Sequence, residues 1–197
     1  MKKLMRAHKR FAASVSGMAA TEFALLLPVM VTLFFGMLEA SDAMTVNRRT
    51  ANASNALVDL VGQTTQLSPT ELNDIFTGVR RILEPNDTST LAIRFTSVIR
   101  DPDDDSQVIV HWSRDDKGNI PYGTGDPFTL LDDDTVLKPN MSILFVELDY
   151  TYRSGISSRV IGSPVTFKKT ALRLPRRSSR VLYCTGSSND DPGCDNT

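Results

Sequence analysis

Between Phe23 and Leu38 the chain is apolar except at Pro28, Thr32 and Gly36, and with Met18–Ala20 the run reaches about 21 residues. At 1.5 Å per residue that is roughly 31 Å of helix, enough to cross a hydrocarbon core. Past it, residues 41–66 contain no proline and a single glycine. There Ala43, Val46, Thr50, Ala53, Leu57, Leu60 and Thr64 recur at three- and four-residue steps, predicting a narrow, weakly apolar stripe on a helix that continues the first as one rod. Ser68-Pro69-Thr70-Glu71 offers an N-cap, a proline at the first helical position and a carboxylate three residues after the cap. Leu72, Ile75, Phe76, Val79, Ile82 and Leu83 then share one face of a second helix, which Glu84-Pro85-Asn86-Asp87 should end.

From Thr88 the period becomes alternating. Leu91, Ile93 and Phe95 form one face of a strand, and Val108, Val110 and Trp112 repeat the pattern. Leu144, Val146, Leu148, Tyr150 and Tyr152 alternate with Phe145, Glu147, Asp149 and Thr151, and a last strand runs through Val165 to Leu174. The stretches Asp101 to Ser106 and Asp115 to Asn119 have the composition of hairpin connections. The expected fold is α+β: a long N-terminal transmembrane helix leading into a domain with a second helix and an antiparallel sheet of about four strands. The expected divisions are a basic leader (1–17), a transmembrane helix (18–42), a helical region outside the cytoplasm (43–87), a sheet region (88–183) and a polar tail (184–197).

Charge orients the chain. Lys2, Lys3, Arg6, Lys9 and Arg10 precede the apolar run with no acid among them, and Glu39 and Asp42 follow it. The positive-inside rule leaves the N-terminus in the cytoplasm and sends the rest across. A cleaved secretory signal peptide is the competing reading, with Ser41-Asp42-Ala43 as its small-x-small site. The position of Glu22 before the core, the length of the apolar run and the acids at that site count against it.

Glu22 at the edge of the apolar run needs a physical account, because a carboxylate costs up to about 3 kcal/mol at the centre of a membrane helix and less near the interface. Two accounts stand. Either it stays hydrated at headgroup depth, or it gains a cationic partner. Cutting the chain after Gly17 would supply one, since the amine of Met18 becomes a new positive end one turn from Glu22 and near the terminus of any packed neighbour.

A basic leader, Gly17, four residues, then Glu22 and Phe23, followed by Ala24-Leu25-Leu26-Leu27-Pro28 and Phe35-Gly36-Met37-Leu38-Glu39, resembles the TadE-like pilus assembly proteins of bacterial tight-adherence (Tad/Flp) systems. The resemblance covers about Gly17 to Asn47. It implies a minor pseudopilin with a pilin-like domain, cut by a membrane prepilin peptidase, with Gly17 as the last leader residue and Met18 as the new N-terminus. Glu22 and Phe23 would then be the fifth and sixth mature residues and would serve helix assembly; Phe23 stands where many such pilins carry tyrosine. The implied partners are that peptidase, other pilins or pseudopilins, inner-membrane assembly proteins and the lipid bilayer. The implied place is the bacterial inner membrane, single-pass, with the C-terminal domain periplasmic and possible entry into the pilus.

At 197 residues and 41% hydrophobic content, the part beyond the membrane suffices for one modest domain. A net charge of -1 gives no general attraction to nucleic acid, which is not expected as a partner. Cys184 and Cys194 would meet an oxidising compartment, which favours an intrachain disulfide over an intersubunit bridge or free thiols. Two cysteines with no histidine nearby are too few for a metal site.

Asp101, Asp103 and Asp105 have calcium-loop spacing, but Ser106 stands at the turn glycine and Trp112 at the bidentate glutamate, so these and Asp132 to Asp134 read as solvated loops. The basic stretch Lys168, Lys169, Arg173, Arg176, Arg177 and Arg180 suits anionic headgroups, an acidic face of another copy or simple solvation. The only histidines are His8 in the leader and His111 in a strand, and no phosphate loop or nucleophile motif occurs, so neither enzymatic activity nor a cofactor is expected.

Overall fold

The computed structural model describes residues 17–131, 133–153, 164–185 and 194. Leader residues 1–16, with the basic residues and His8, lie outside them, as does Asp132. The chain divides into two compact units, one up to Asp42 and one from Ala43.

Helix α1 spans Met18–Gly62 and passes through Pro28 without a break. Proline lacks the N–H that would bond the Ala24 carbonyl, and Thr32 Oγ1 donates to the Pro28 carbonyl at 2.7 Å. In the first unit the helix keeps its apolar side chains exposed, Phe23 at 58% and Leu25 at 78% among them. α1 also runs unbroken across Ser41–Ala43.

In the second unit, α1 buries Val46, Thr50, Ala53, Ser54, Leu57, Val58, Val61 and Gly62. The expected stripe holds as far as Leu57 and then shifts, leaving Leu60 46% exposed and bringing Val58 and Val61 inward. A 3.6-residue period drifts relative to mixed steps of three and four, so a stripe read off spacing can be overtaken by its neighbour within two turns. After α1 come β1 (Gln66–Leu67) and α2 (Pro69–Ile82). α2 opens on the expected capping box: Ser68 Oγ accepts from Glu71 N, and the Glu71 carboxylate accepts from Ser68 N at 2.9 Å. Those bonds hold the Glu71 carboxyl below its ordinary value. Arg80 and Arg81 occupy the last turn, where cations favour the helix dipole, and Leu83 caps it.

The sheet contains β2 (Leu91–Arg100), β3 (Val108–Asp115), β4 (Ser142–Tyr152) and β5 (Val165–Arg173), all antiparallel, in the order β3-β2-β4-β5. Leu91, Ile93 and Phe95 of β2, the even residues Leu144–Tyr152 of β4 and Ala171 of β5 share one core with α1 and α2. Val98, Val108, Val110, Ile143 and Phe145 form a second core on the other face, closed by Phe128 and Leu137 from the long β3–β4 connection.

Two strand expectations are corrected by pairing. Val108, Val110 and Trp112 do not share a face, because the register jumps from Ser97↔Trp112 to Val98↔Val110 and leaves His111 as the extra residue of a β-bulge. The bulge turns Val110 to the outer core and Trp112 to the helix side. Asp101–Ser106 does join a hairpin, but Asp115–Asn119 does not, since β4 pairs with β2 on its far side. After that turn the chain instead returns along the free edge of β3, with Val110 N donating to Asp126 O, Gly125 N to Val110 O and Phe128 N to Val108 O. This covers one sheet edge with backbone.

A short parallel pair, β1 with β6 (Leu182–Tyr183), was not legible in the pattern. It is extended by Cys184 N donating to Leu67 O at 2.9 Å, and Cys184 is bonded to Cys194. Inside the helix-side core, Trp112 stacks between Phe95 (5.4 Å) and Tyr183 (5.3 Å), and its Nε1 donates to Val181 O at 2.8 Å.

Candidate functional site

The N-terminal part of α1 presents the residues singled out from sequence in one place. Gly17 precedes the first α-helical residue, Met18, and both are exposed. Thr21 Oγ1 donates to Met18 O at 2.8 Å, tying down the first turn. Glu22 and Phe23 follow on exposed helix, with Phe23 opening the apolar run. α1 is long and apolar enough to cross a membrane, and none of its most apolar window is buried inside the protein. Water would penalise so many exposed apolar side chains at about 25 cal/mol per Å². Lipid or packed neighbouring helices remove that penalty, so this surface is a candidate membrane anchor and helix-packing surface.

Residues 17–58 match the family described as TadE-like protein. The N-terminal segment is TadE-like. The match opens at Gly17, runs through the apolar helix and ends at Val58 within α1, among the residues that enter the second unit's core. The family suggests a protein associated with a Tad pilus and its components. No curated protein and no solved structure matches the chain.

Beyond the TadE-like segment, the structure redistributes the basic stretch. Lys168 and Lys169 point to opposite faces of β5, opposite Asp149 and Leu148 respectively. Arg176 Nη2 lies 2.6 Å from Asp59 Oδ1 on α1, with Arg173 Nε at 3.9 Å, and Arg176 N donates to Gly62 O. Arg176 therefore holds the connection after β5 against α1 rather than standing free for another copy. Arg180 reaches Asn140 at 3.5 Å.

The acidic loops are built as turns. Asp101 accepts from Asp103 N, Asp104 from Ser106 N and Oγ, and Asp133 from Thr135 N and Oγ1. Those bonds hold the Asp104 and Asp133 carboxyls below their ordinary values. Asp134 pairs with Arg100 at 2.9 Å. Among the described residues no group of three or more His, Cys, Asp or Glu is arranged to hold a metal. His111 is 1% exposed within the bulge.

Sequence reasoning missed a polar cluster on the outer face of the sheet. Arg94 Nη2 donates to Asp149 at 2.8 Å and to Glu147 at 3.3 Å, and Tyr122 Oη donates to Glu147 Oε2 at 2.7 Å. Burial pushes the Arg94 pKa down, but the two carboxylates outweigh it and leave it raised. Burial, then the bond to and charge of Glu147, push the Tyr122 phenol up to about 12. The register Arg94↔Glu147 creates this cluster, and nothing local announces it.

A phenol raised in the folded state contributes stability that is complete below tyrosine's ordinary value of 10 and is lost as pH rises through about 12. Titration of tyrosinate absorbance is expected to show one group ionising near pH 12 that Tyr122→Phe removes and Glu147→Gln shifts down. An unshifted titration in Glu147→Gln would remove Glu147 as the cause.

Proposed function

We propose that the chain is a non-enzymatic minor pseudopilin or assembly factor of a tight-adherence (Flp/Tad) pilus, contributing to pilus biogenesis and surface adhesion. It sits single-pass in the bacterial inner membrane with its N-terminus cytoplasmic and its second unit periplasmic. The observation that carries this reading is the coincidence of a TadE-like match starting at Gly17 with an exposed apolar helix starting at Met18 and bearing Glu22 in its second turn.

In this reading the basic leader and apolar helix insert the precursor, and a prepilin peptidase cuts between Gly17 and Met18. The cut removes every leader cation and creates an amine at Met18. Mature helices then associate laterally, each amine compensated by a Glu22 carboxylate in a medium where either charge alone is more costly than the pair. The second unit selects partners among pilins, pseudopilins and inner-membrane assembly proteins. Processing yields to one measurement: intact mass with N-terminal sequencing of protein recovered from membranes is expected to give a chain beginning at Met18. A chain beginning at Met1 would leave a permanently anchored envelope or secretion accessory protein in its place.

A further inference from the structure

A cavity of about 310 Å³ opens in the second unit between the N-terminal half of α2, the end of β3 with its turn, and β6. Leu72, Phe76 and Tyr183 give it an apolar floor, and Asn73, Arg114 and Lys117 give it a polar side. The volume lies at the low end for ligand sites, which begin at about 300 Å³. It is room for one anchoring side chain and its neighbour rather than for a large cofactor.

The cation in this cavity is preorganised. The Arg114 guanidinium carbon lies 4.4 Å from the Tyr183 ring centroid, continuing the stack of Phe95, Trp112 and Tyr183. Tyr183 is fixed from behind by its pairing with Leu67 and by the adjacent disulfide at Cys184. A planar guanidinium held on a ring loses little freedom when it pairs with a carboxylate.

Two acids, Asp115 and Asp116, also line the cavity, and both are already engaged. Asp116 is ion-paired with Arg80 and accepts from Ile93 N, and its side chain is only 2% exposed. Asp115 accepts from Lys117 N, Asn119 N and Asn119 Nδ2. Burial raises the Asp115 carboxyl, but these bonds and the charge of Lys117 outweigh it and leave it lowered. Among the described residues, the Arg114 guanidinium makes one hydrogen bond, from Nη1 to Ser113 O at 2.7 Å, and no ion pair. Lys117 is exposed and makes no ion-pair contact among the described residues, but its charge acts on the Asp115 carboxylate beside it.

We propose that this cavity docks an acidic peptide segment of a partner protein, with an apolar side chain against Leu72, Phe76 and Tyr183 and an adjacent carboxylate paired with Arg114 and flanked by Lys117. The apolar floor favours a peptide over a free anion, and Arg114, the lining cation without a carboxylate partner, favours an acid over a neutral peptide. Processing at Gly17 plays no part here, so failure of this docking and failure of the pseudopilin reading are separate results.

The test uses the full chain in detergent micelles with three probes: acetyl-Gly-Phe-Asp-Gly-amide, its Phe-Asn counterpart and inorganic phosphate. Binding is read from the fluorescence of Trp112, the single tryptophan, which stacks on Tyr183. The Phe-Asp peptide is expected to bind about tenfold or more tightly than the Phe-Asn peptide or phosphate. Arg114→Gln should weaken it about tenfold and Lys117→Gln, at an exposed side chain, about two- to fivefold. Arg48→Gln, an equal charge change on exposed α1, should leave it unchanged. No binding of the Phe-Asp peptide, equal binding of the Phe-Asn peptide or of phosphate, or indifference to both cavity substitutions would overturn the proposal.

Discussion

Trp112→Ala is expected to destabilise the second unit by about 3–5 kcal/mol, the range for truncating a large buried ring. Trp112 is fully buried, sandwiched between Phe95 and Tyr183, and bonded through Nε1 to Val181 O. Its removal opens a cavity where β3 meets the short parallel pair and leaves the Val181 carbonyl without its donor. For a unit of this size the loss corresponds to a fall in Tm of roughly 6–20 °C, measurable by circular dichroism. Trp112→Phe keeps a ring but not the donor, and is expected to cost about 1–3 kcal/mol through the orphaned carbonyl and the smaller volume. A Trp112→Ala variant within about 1 kcal/mol of the parent would mean that the stack does not organise this core.

Glu22→Ala is expected to abolish pilus formation while leaving the protein in the membrane and its second unit folded. The substitution removes a charge from the apolar helix, so insertion becomes easier. In the proposed assembly, what it takes away is the partner of the Met18 amine. Leaving one member of a desolvated ion pair unmatched costs about 3–5 kcal/mol, or roughly two to four orders of magnitude in association. Glu22→Gln should fail nearly as badly, because an amide retains the hydrogen bond but not the charge. The readout is piliation counted by electron microscopy beside protein levels in membrane fractions. Normal piliation in Glu22→Ala would reduce Glu22 to a hydrated headgroup-depth residue and remove its assembly role.

These two residues differ in how they could be found. Glu22 belongs to a local constellation: a basic leader, a glycine, a carboxylate and an aromatic at fixed offsets before an apolar run. Every member lies within one stretch of chain, so spacing alone exposes it. Trp112 shows in sequence only as an apolar position in a strand. Its stack exists because β2 supplies Phe95 and β6 supplies Tyr183, the latter about seventy residues away.

Local pattern is enough for the elements and most of their inward faces: α1 from its apolar run, α2 from its capping box and one-sided face, β2 and β4 from strict alternation. These follow from backbone periodicity and from the donors left open at a helix start, which are properties of neighbouring residues. Which strand lies beside which emerges only in the packed fold. The fold placed β4 next to β2, made His111 the extra residue that turns Trp112 inward, swung Leu60 out, and joined β1 to β6. It also engaged Arg176 with Asp59 and Arg80 with Asp116, and so left Arg114 as an unmatched cation on Tyr183. Periodicity says that a face is apolar but not what covers it. The covering partner is set by the joint packing of residues far apart in the chain, where several pairings satisfy the same local pattern and their contacts are summed only in the fold.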